Sequence, residues 1–200
     1  LGDVYKRQEK NVQLLCLPEF TLTGYTCSDL FLQETLCRGA EDGLIQILDA
    51  SKELDVVALV GLPVRHNGKL YNCAAVVCKG QLLGLVPKTY LPNGNEFYET
   101  RWFASGAGVH ETVSRDGLTF PLSADTLFEM GGFVFGVELC EDVWAPIPPS
   151  VRLCLAGATV IANCSASPEA AGKPARRRTL LRAASAQNAD ICERQGSAND

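Results

Sequence analysis

Histidine is scarce in this chain of 200 residues: His66 and His110 are the only two. Both sit in polar, glycine-bearing text that reads as loop, and they are too few for a rich metal site, so a catalytic cysteine here is expected to use some other base. Nine cysteines are present (Cys16, Cys27, Cys37, Cys73, Cys78, Cys140, Cys154, Cys164 and Cys192), yet no C-x-x-C pair occurs. An odd count scattered through apolar segments excludes a zinc site or a disulfide framework and fits small buried hydrophobes in a reducing cytoplasm. An excess of positive charge is missing too. Eighteen Lys and Arg against 23 Asp and Glu leave a net charge of −5, which argues against a nucleic-acid or membrane coat. No run approaches the roughly 18 apolar residues of a membrane span, no signal-peptide pattern opens the chain, and no internal repeat or low-complexity linker divides it. What is present is 46% hydrophobic residues, enough for one domain with a proper core.

The patterning alternates strands with helices and with other strands. Residues 12–17 form a short apolar run ending at Pro18, and 55–62 a continuous β-branched run that reads as a strand covered on both faces. Between them, from Ser28 onward, apolar residues at helical spacing (Leu30, Phe31, Leu44, Ile47, Leu48, Leu54) predict helix, with Gly39 and Gly43 expected to break it in two. Residues 70–78 and 81–86 flank Lys79-Gly80 as a hairpin, 87–118 reads as loop, and 126–130 and 133–139 are strands joined across Gly131-Gly132. A helix over 151–155, a strand over 159–163 and a helix over 175–188 follow. The pattern predicts a layered α/β domain with parallel and antiparallel pairing. The chain starts at Leu1 rather than Met, and residues 1–10 and 191–200 are expected to be foreign or misplaced termini around a domain spanning 11–190.

Three side chains stand where chemistry is expected. Cys140 ends an apolar strand just before a turn and a proline cluster, so that backbone N–H groups of the turn can serve a developing oxyanion. Glu19 directly follows a buried strand, where desolvation favours a base, and Lys88 lies between Pro87 and Pro92 after another strand. Each alone has a plain reading, as a structural cysteine or a solvated loop charge. Together, at strand C-terminal ends, they mark the place where α/β sheets bind ligands. The basic run Arg176-Arg177-Arg178, with Lys173 and Arg182, lacks interleaved aromatics and reads as a solvated helix face or a docking surface, not as a nucleic-acid site.

Pro18-Glu19-Phe20, Pro87-Lys88-Thr89-Tyr90-Leu91-Pro92 and Glu138-Leu139-Cys140-Glu141-Asp142-Val143-Trp144 resemble, in order and separation, the Glu, Lys and Cys motifs of the nitrilase (carbon–nitrogen hydrolase) superfamily. Within it, Thr23-Gly24-Tyr25, the stretch from Asn95 to Glu99, Arg101-Trp102-Phe103 and the stretch from Ala162 to Pro168 are similar to the glutaminase domain of glutamine-dependent NAD⁺ synthetases. The resemblance implies a four-layer α-β-β-α sandwich, usually longer than this chain and commonly assembled through dimers. It implies Cys140 as nucleophile on the glutamine side-chain amide, Glu19 as base, Lys88 at the oxyanion and Glu96 as a second glutamate. Glu141, Tyr25, Ser167 and Lys173 are the implied contacts to the glutamine ammonium and carboxylate. One departure is visible: where the family commonly carries tyrosine two residues before its second glutamate, Gly94 stands here. No cofactor is implied for this domain. ATP, magnesium and nicotinic acid adenine dinucleotide belong, on the same resemblance, to a C-terminal synthetase domain with a Ser/Gly-rich phosphate loop, a stretch this sequence lacks. A stand-alone amidase for another small amide, and an inactive, incompletely covered fragment, remain open on the sequence.

Overall fold

The structure, a computed structural model, describes residues 12–115, 118–168 and 170–196. In chain order the strands are β1 (Leu14–Cys16), β2 (Val57–His66), β3 (Lys69–Cys78), β4 (Gln81–Pro87), β5 (His110–Arg115), β6 (Leu118–Ser123), β7 (Phe128–Met130), β8 (Phe133–Leu139) and β9 (Val160–Cys164). The helices are α1 (Glu34–Ala50), α2 (Pro149–Leu155) and α3 (Lys173–Gly196), with 3₁₀ turns at Tyr25–Leu32, Glu99–Arg101 and Cys140–Trp144. The strands build two sheets. One has six strands in the order β1-β2-β3-β4-β6-β5, the other three in the order β7-β8-β9.

The alternation of the strands explains the layers. Val57, Leu59, Ala74, Val76 and Val86 project from the large sheet onto Phe128, Phe135, Val137, Leu139 and Cys164 of the small one, forming the inter-sheet core. On the other face of the large sheet, Ala58, Val60, Leu62, Cys73 and Ala75 meet Ala40, Leu44 and Leu48 of α1. Because β2 and β3 are covered on both faces, residues 57–64 and 73–78 read as unbroken apolar runs. α2 closes the outer face of the small sheet, where a Cβ on Gly136 would lie 2.8 Å from Leu153 Cδ1. The result is the expected α-β-β-α sandwich.

Several local expectations are corrected. α1 runs through Gly39 and Gly43 without a break, since its buried face (Cys37, Ala40, Leu44, Leu48) packs continuously and tertiary burial outweighs the helix cost of two glycines. The stretch 87–118 is not all loop: it contains β5 and the start of β6, an antiparallel pair in register from His110 opposite Ser123. Their polar, half-exposed text hid the alternation. A second hairpin joins β2 to β3 through Asn67-Gly68, both with positive φ (47° and 74°), the geometry of a tight hairpin turn. Both histidines therefore lie at strand ends rather than in loops, with His66 Nε2 2.5 Å from Glu111 Oε2 across the sheet. The expectation for residues 1–10 falls outside the described residues. Of 191–200, the backbone continues helical as far as Gly196.

Candidate active site

A buried polar cluster lies at the C-terminal ends of the central strands. Lys88, the residue after β4, is 1% exposed, Glu19 2%, Glu99 1% and Asn72, on β3, 0%. Lys88 Nζ donates to Glu19 Oε1 and to Glu99 Oε1, both at 2.7 Å. Asn72 Nδ2 donates to Glu19 Oε1 at 2.6 Å and to Glu99 Oε2 at 3.4 Å, and Tyr25 Oη donates to Glu99 Oε1 at 2.6 Å. A cation between two carboxylates is the arrangement that lets charge survive burial. Burial alone would pull the Lys88 ammonium down, but Glu19 and Glu99 outweigh it and hold the ammonium above its usual range. Burial first, then Glu99, raise the Tyr25 phenol.

The backbone dictates this convergence. Glu19 is held by a loop lying on β2: a Cβ at Gly61 would fall 2.4 Å from Phe20 N and 2.7 Å from Pro18 O, so only glycine permits the approach. Phe20 itself has φ 52°, a conformation unusual for a bulky residue, and is anchored 1% exposed among Tyr25, Phe31 and Phe103. Lys88 is fixed by its own amide on Asn72 O (2.8 Å) and its carbonyl on Gly106 N (2.8 Å).

Cys140 follows β8 with φ 41°, again in the left-handed region, and is buried. The strain, of order 1–3 kcal/mol, is held by the turn around it. Burial first, then the Glu19 carboxylate, push its thiol up to about 12, while Lys88 and the Ser165 hydroxyl pull the other way. Glu19 Oε2, the oxygen not engaged by Lys88, is buried without a hydrogen-bond partner, free to take a proton. On the small-sheet side a second polar network surrounds the cysteine. Asn163 Nδ2 donates to Glu138 Oε1 (3.2 Å) and toward Cys140 O (3.5 Å), and its Oδ1 accepts from Ser165 Oγ (2.5 Å). Asp142 joins the two sheets: its carboxylate accepts from Leu139 N (3.0 Å), Thr89 N (3.1 Å) and Tyr90 N (2.7 Å). The amides after Lys88 are thereby pinned to the turn that carries Cys140. Burial is the main reason the Asp142 carboxyl rises to about 7.

Glu19, Lys88, Cys140 and Tyr25 are thus brought together, and one expected member is replaced. Glu96 is exposed on a turn, and the second buried carboxylate is Glu99. The 3₁₀ turn turns Glu99 inward, with its amide on Pro92 O (3.1 Å) and its carbonyl accepting from Phe103 N (2.8 Å), while Arg101 and Trp102 Nε1 bind Asp29 outside. Phe97, two residues before Glu99, is edge-on to Tyr25 at 6.2 Å, and Gly94 is exposed. Glu141 is half-buried beside Cys140, Ser167 half-buried beyond β9 and Lys173 half-buried at the start of α3. None of the three takes part in the hydrogen bonds that join Glu19, Lys88, Glu99 and Asn72. Sequence reasoning missed Asn72, Glu99, Asp142, Asn163 and Ser165. An asparagine inside the otherwise apolar β3 was the available signal, since a polar side chain there must have a buried partner.

Among the described residues no group of three His, Cys, Asp or Glu side chains is placed to hold a metal ion, and no helix is long and apolar enough to cross a membrane. Arg176 of the basic run stacks over Trp144, 5.6 Å from the ring centroid, which ties α3 to the nucleophile turn.

A carbon-nitrogen hydrolase profile matches residues 4–190. The chain is 45% identical over 177 residues to the glutamine-dependent NAD(+) synthetase of Mycobacterium tuberculosis, covering 87% of this chain and 26% of that protein. A glutamine-dependent NAD(+) synthetase structure from Cytophaga hutchinsonii superposes with TM-score 0.78 at 33% identity, covering 88% of this chain and 28% of that one. An amidase from Nesterenkonia sp. superposes with TM-score 0.70 at 19% identity over 93% of this chain and 63% of that one, a likeness of fold. The chain spans about a quarter of the length of the curated relatives it matches.

Proposed function

Since the chain belongs to the carbon-nitrogen hydrolase family, we propose that it hydrolyses the side-chain amide of glutamine through a Cys140 thioester, and that the ammonia serves NAD⁺ synthesis in a longer protein. The observation that carries this reading is Lys88 enclosed between Glu19 and Glu99 beside Cys140. Similarity to glutamine-dependent NAD(+) synthetases supports the choice of amide.

In acylation Glu19 takes the thiol proton as sulfur attacks the amide carbon, and the carbonyl π-pair moves onto oxygen. A thiol as high as about 12 does not ionise beforehand, so proton removal accompanies attack. The Lys88 ammonium and the amide following Cys140 stabilise the oxyanion. Glu19 then returns the proton to the departing nitrogen, the C–N bond breaks and ammonia leaves. In deacylation Glu19 removes a proton from water, hydroxide adds to the thioester carbon, and collapse expels the sulfur, which takes back a proton. Glu99 touches Lys88 and Tyr25 rather than the reacting atoms, so it is a positioning residue. Glu141 receives the substrate ammonium, Ser167 and Lys173 serve its carboxylate end, and Tyr25, whose hydroxyl is committed to Glu99, walls the site.

ATP and magnesium have no place in these steps. On this reading they serve the synthetase chemistry of a further domain in the longer protein. The test is ammonia release from glutamine together with labelling by a glutamine-like diazoketone. Labelling of Cys140 that glutamine protects against, and that Cys140→Ala abolishes, is expected. Labelling unchanged in Cys140→Ala overturns the reading.

A further inference from the structure

Apart from the Glu19–Lys88–Glu99 cluster, one pair of reactive side chains meets across the two sheets. Cys16 ends β1 in the large sheet and Cys164 ends β9 in the small one, with their sulfurs 3.6 Å apart. The two are 148 residues apart in sequence. Cys16 is exposed and Cys164 fully buried. Elsewhere, Cys27 lies on Thr23 O, Cys37 lies on Phe31 O and beside Arg65, and Cys73 is enclosed in the core.

From this contact we infer that Cys16 and Cys164 form an oxidation site, a thiol pair that hydroperoxides convert into a reversible disulfide between the two sheets. The exposed thiol meets the oxidant first, and contact with Cys164 lowers the Cys16 thiol, which favours the thiolate that reacts. The Cys16 thiolate attacks one peroxide oxygen, the O–O bond breaks, and Cys16 becomes a sulfenic acid as the second oxygen leaves as hydroxide. The Cys164 thiol, already at hand, then displaces the sulfenic oxygen as water and forms the S–S bond. Two electrons pass from the thiol pair to one hydroperoxide. The sulfurs close from 3.6 Å to about 2.05 Å. That movement draws together the strand end three residues before Glu19 and the one directly before Ser165, so the link is built at the seam on which base and nucleophile face each other.

The test exposes the chain to hydrogen peroxide, quenches, alkylates free thiols and maps peptides without reduction. The expected result is a Cys16–Cys164 linked peptide, loss of two hydrogens from the intact mass, and an upward Tm shift that dithiothreitol reverses. In Cys164→Ser a dimedone-trappable sulfenic acid should accumulate on Cys16, and in Cys16→Ser Cys164 should remain alkylatable. If either variant fails to fold, the wild-type peptide map decides alone. Oxidation of Cys16 to sulfinic acid with Cys164 still a free thiol, disulfides to other cysteines, or no loss of either thiol would each overturn the inference. Because the readouts are mass and Tm, the result stands whether or not glutamine proves to be the substrate.

Discussion

The two sheets bring different chemistry to the same seam. The six-stranded sheet supplies ions: Glu19, Lys88 and Glu99 are locked into one another by hydrogen bonds of 2.7 Å, with Asn72 beneath. The three-stranded sheet supplies the nucleophile on the strained turn at Cys140, with the uncharged Asn163 and Ser165 beside it and the Glu138 carboxyl behind Asn163. Charges that must survive burial need partners, and the larger sheet has the enclosed strands to hold them. A thiol needs aim more than charge, and a short strand running into a turn provides it. Asp142 is the bolt between the halves, because its carboxylate binds amides on both sides.

This contrast is open to attack by substitution. Lys88→Met strands Glu19 and Glu99 together without their cation. We expect ammonia release to fall to background and stability to fall by about 3–5 kcal/mol, read by urea unfolding; an unfolding midpoint equal to wild type would show that the large-sheet cluster is not held by charge. Glu19→Gln keeps the shape but removes the base, and turnover is expected to drop by roughly 10²–10⁴-fold. Because Glu19 also raises the Cys140 thiol, the same variant should be alkylated by iodoacetamide faster at alkaline pH. Opposite signs in the two assays are the prediction, and parallel losses would mean that the loop had simply collapsed.

Asp142→Asn removes acceptor capacity from the bolt and should cost about 1–3 kcal/mol. It also changes the pH profile. The Asp142 carboxyl is raised to about 7 when folded, so the folded chain holds its proton more tightly than the unfolded one does. That contribution is fully present below the ordinary carboxylate range and is lost as pH rises through about 7. Wild-type Tm should therefore carry a declining component over that window that Asp142→Asn lacks. The smallest effect belongs to the three-stranded side. Ser165→Ala removes a group that lowers the Cys140 thiol, and its alkylation profile should move to higher pH with Tm nearly unchanged. A Tm loss as large as that of Lys88→Met would erase the distinction between the sheets.

Much of this was legible in the sequence, and the failures have physical causes. Glu19, Lys88 and Cys140 could be found because each stands directly after an apolar strand, where the strand fixes its position. Glu99 could not: within 92–103 two carboxylates, Glu96 and Glu99, are available, and which one turns inward depends on Glu99 N reaching Pro92 O and on Asp29 binding Arg101 and Trp102 from another loop. Those are long-range contacts that spacing does not encode. Asn163 and Ser165 were passed over for a related reason, since polar residues at a strand end look like solvated ones until the partner strand is in place. The β5–β6 hairpin was lost because its outer positions are polar and its inner face short, with Val113, Phe120 and Leu122 on the core.

The backbone at Cys140 has a consequence for how this position changes under selection. A φ of 41° suits glycine better than any residue with a Cβ. Cys140→Gly should accordingly be at least as stable as Cys140→Ala, although both lose the sulfur. A library sorted only for folding yield would drift toward glycine there, and persistence of cysteine under that sorting would show that the turn bears no strain.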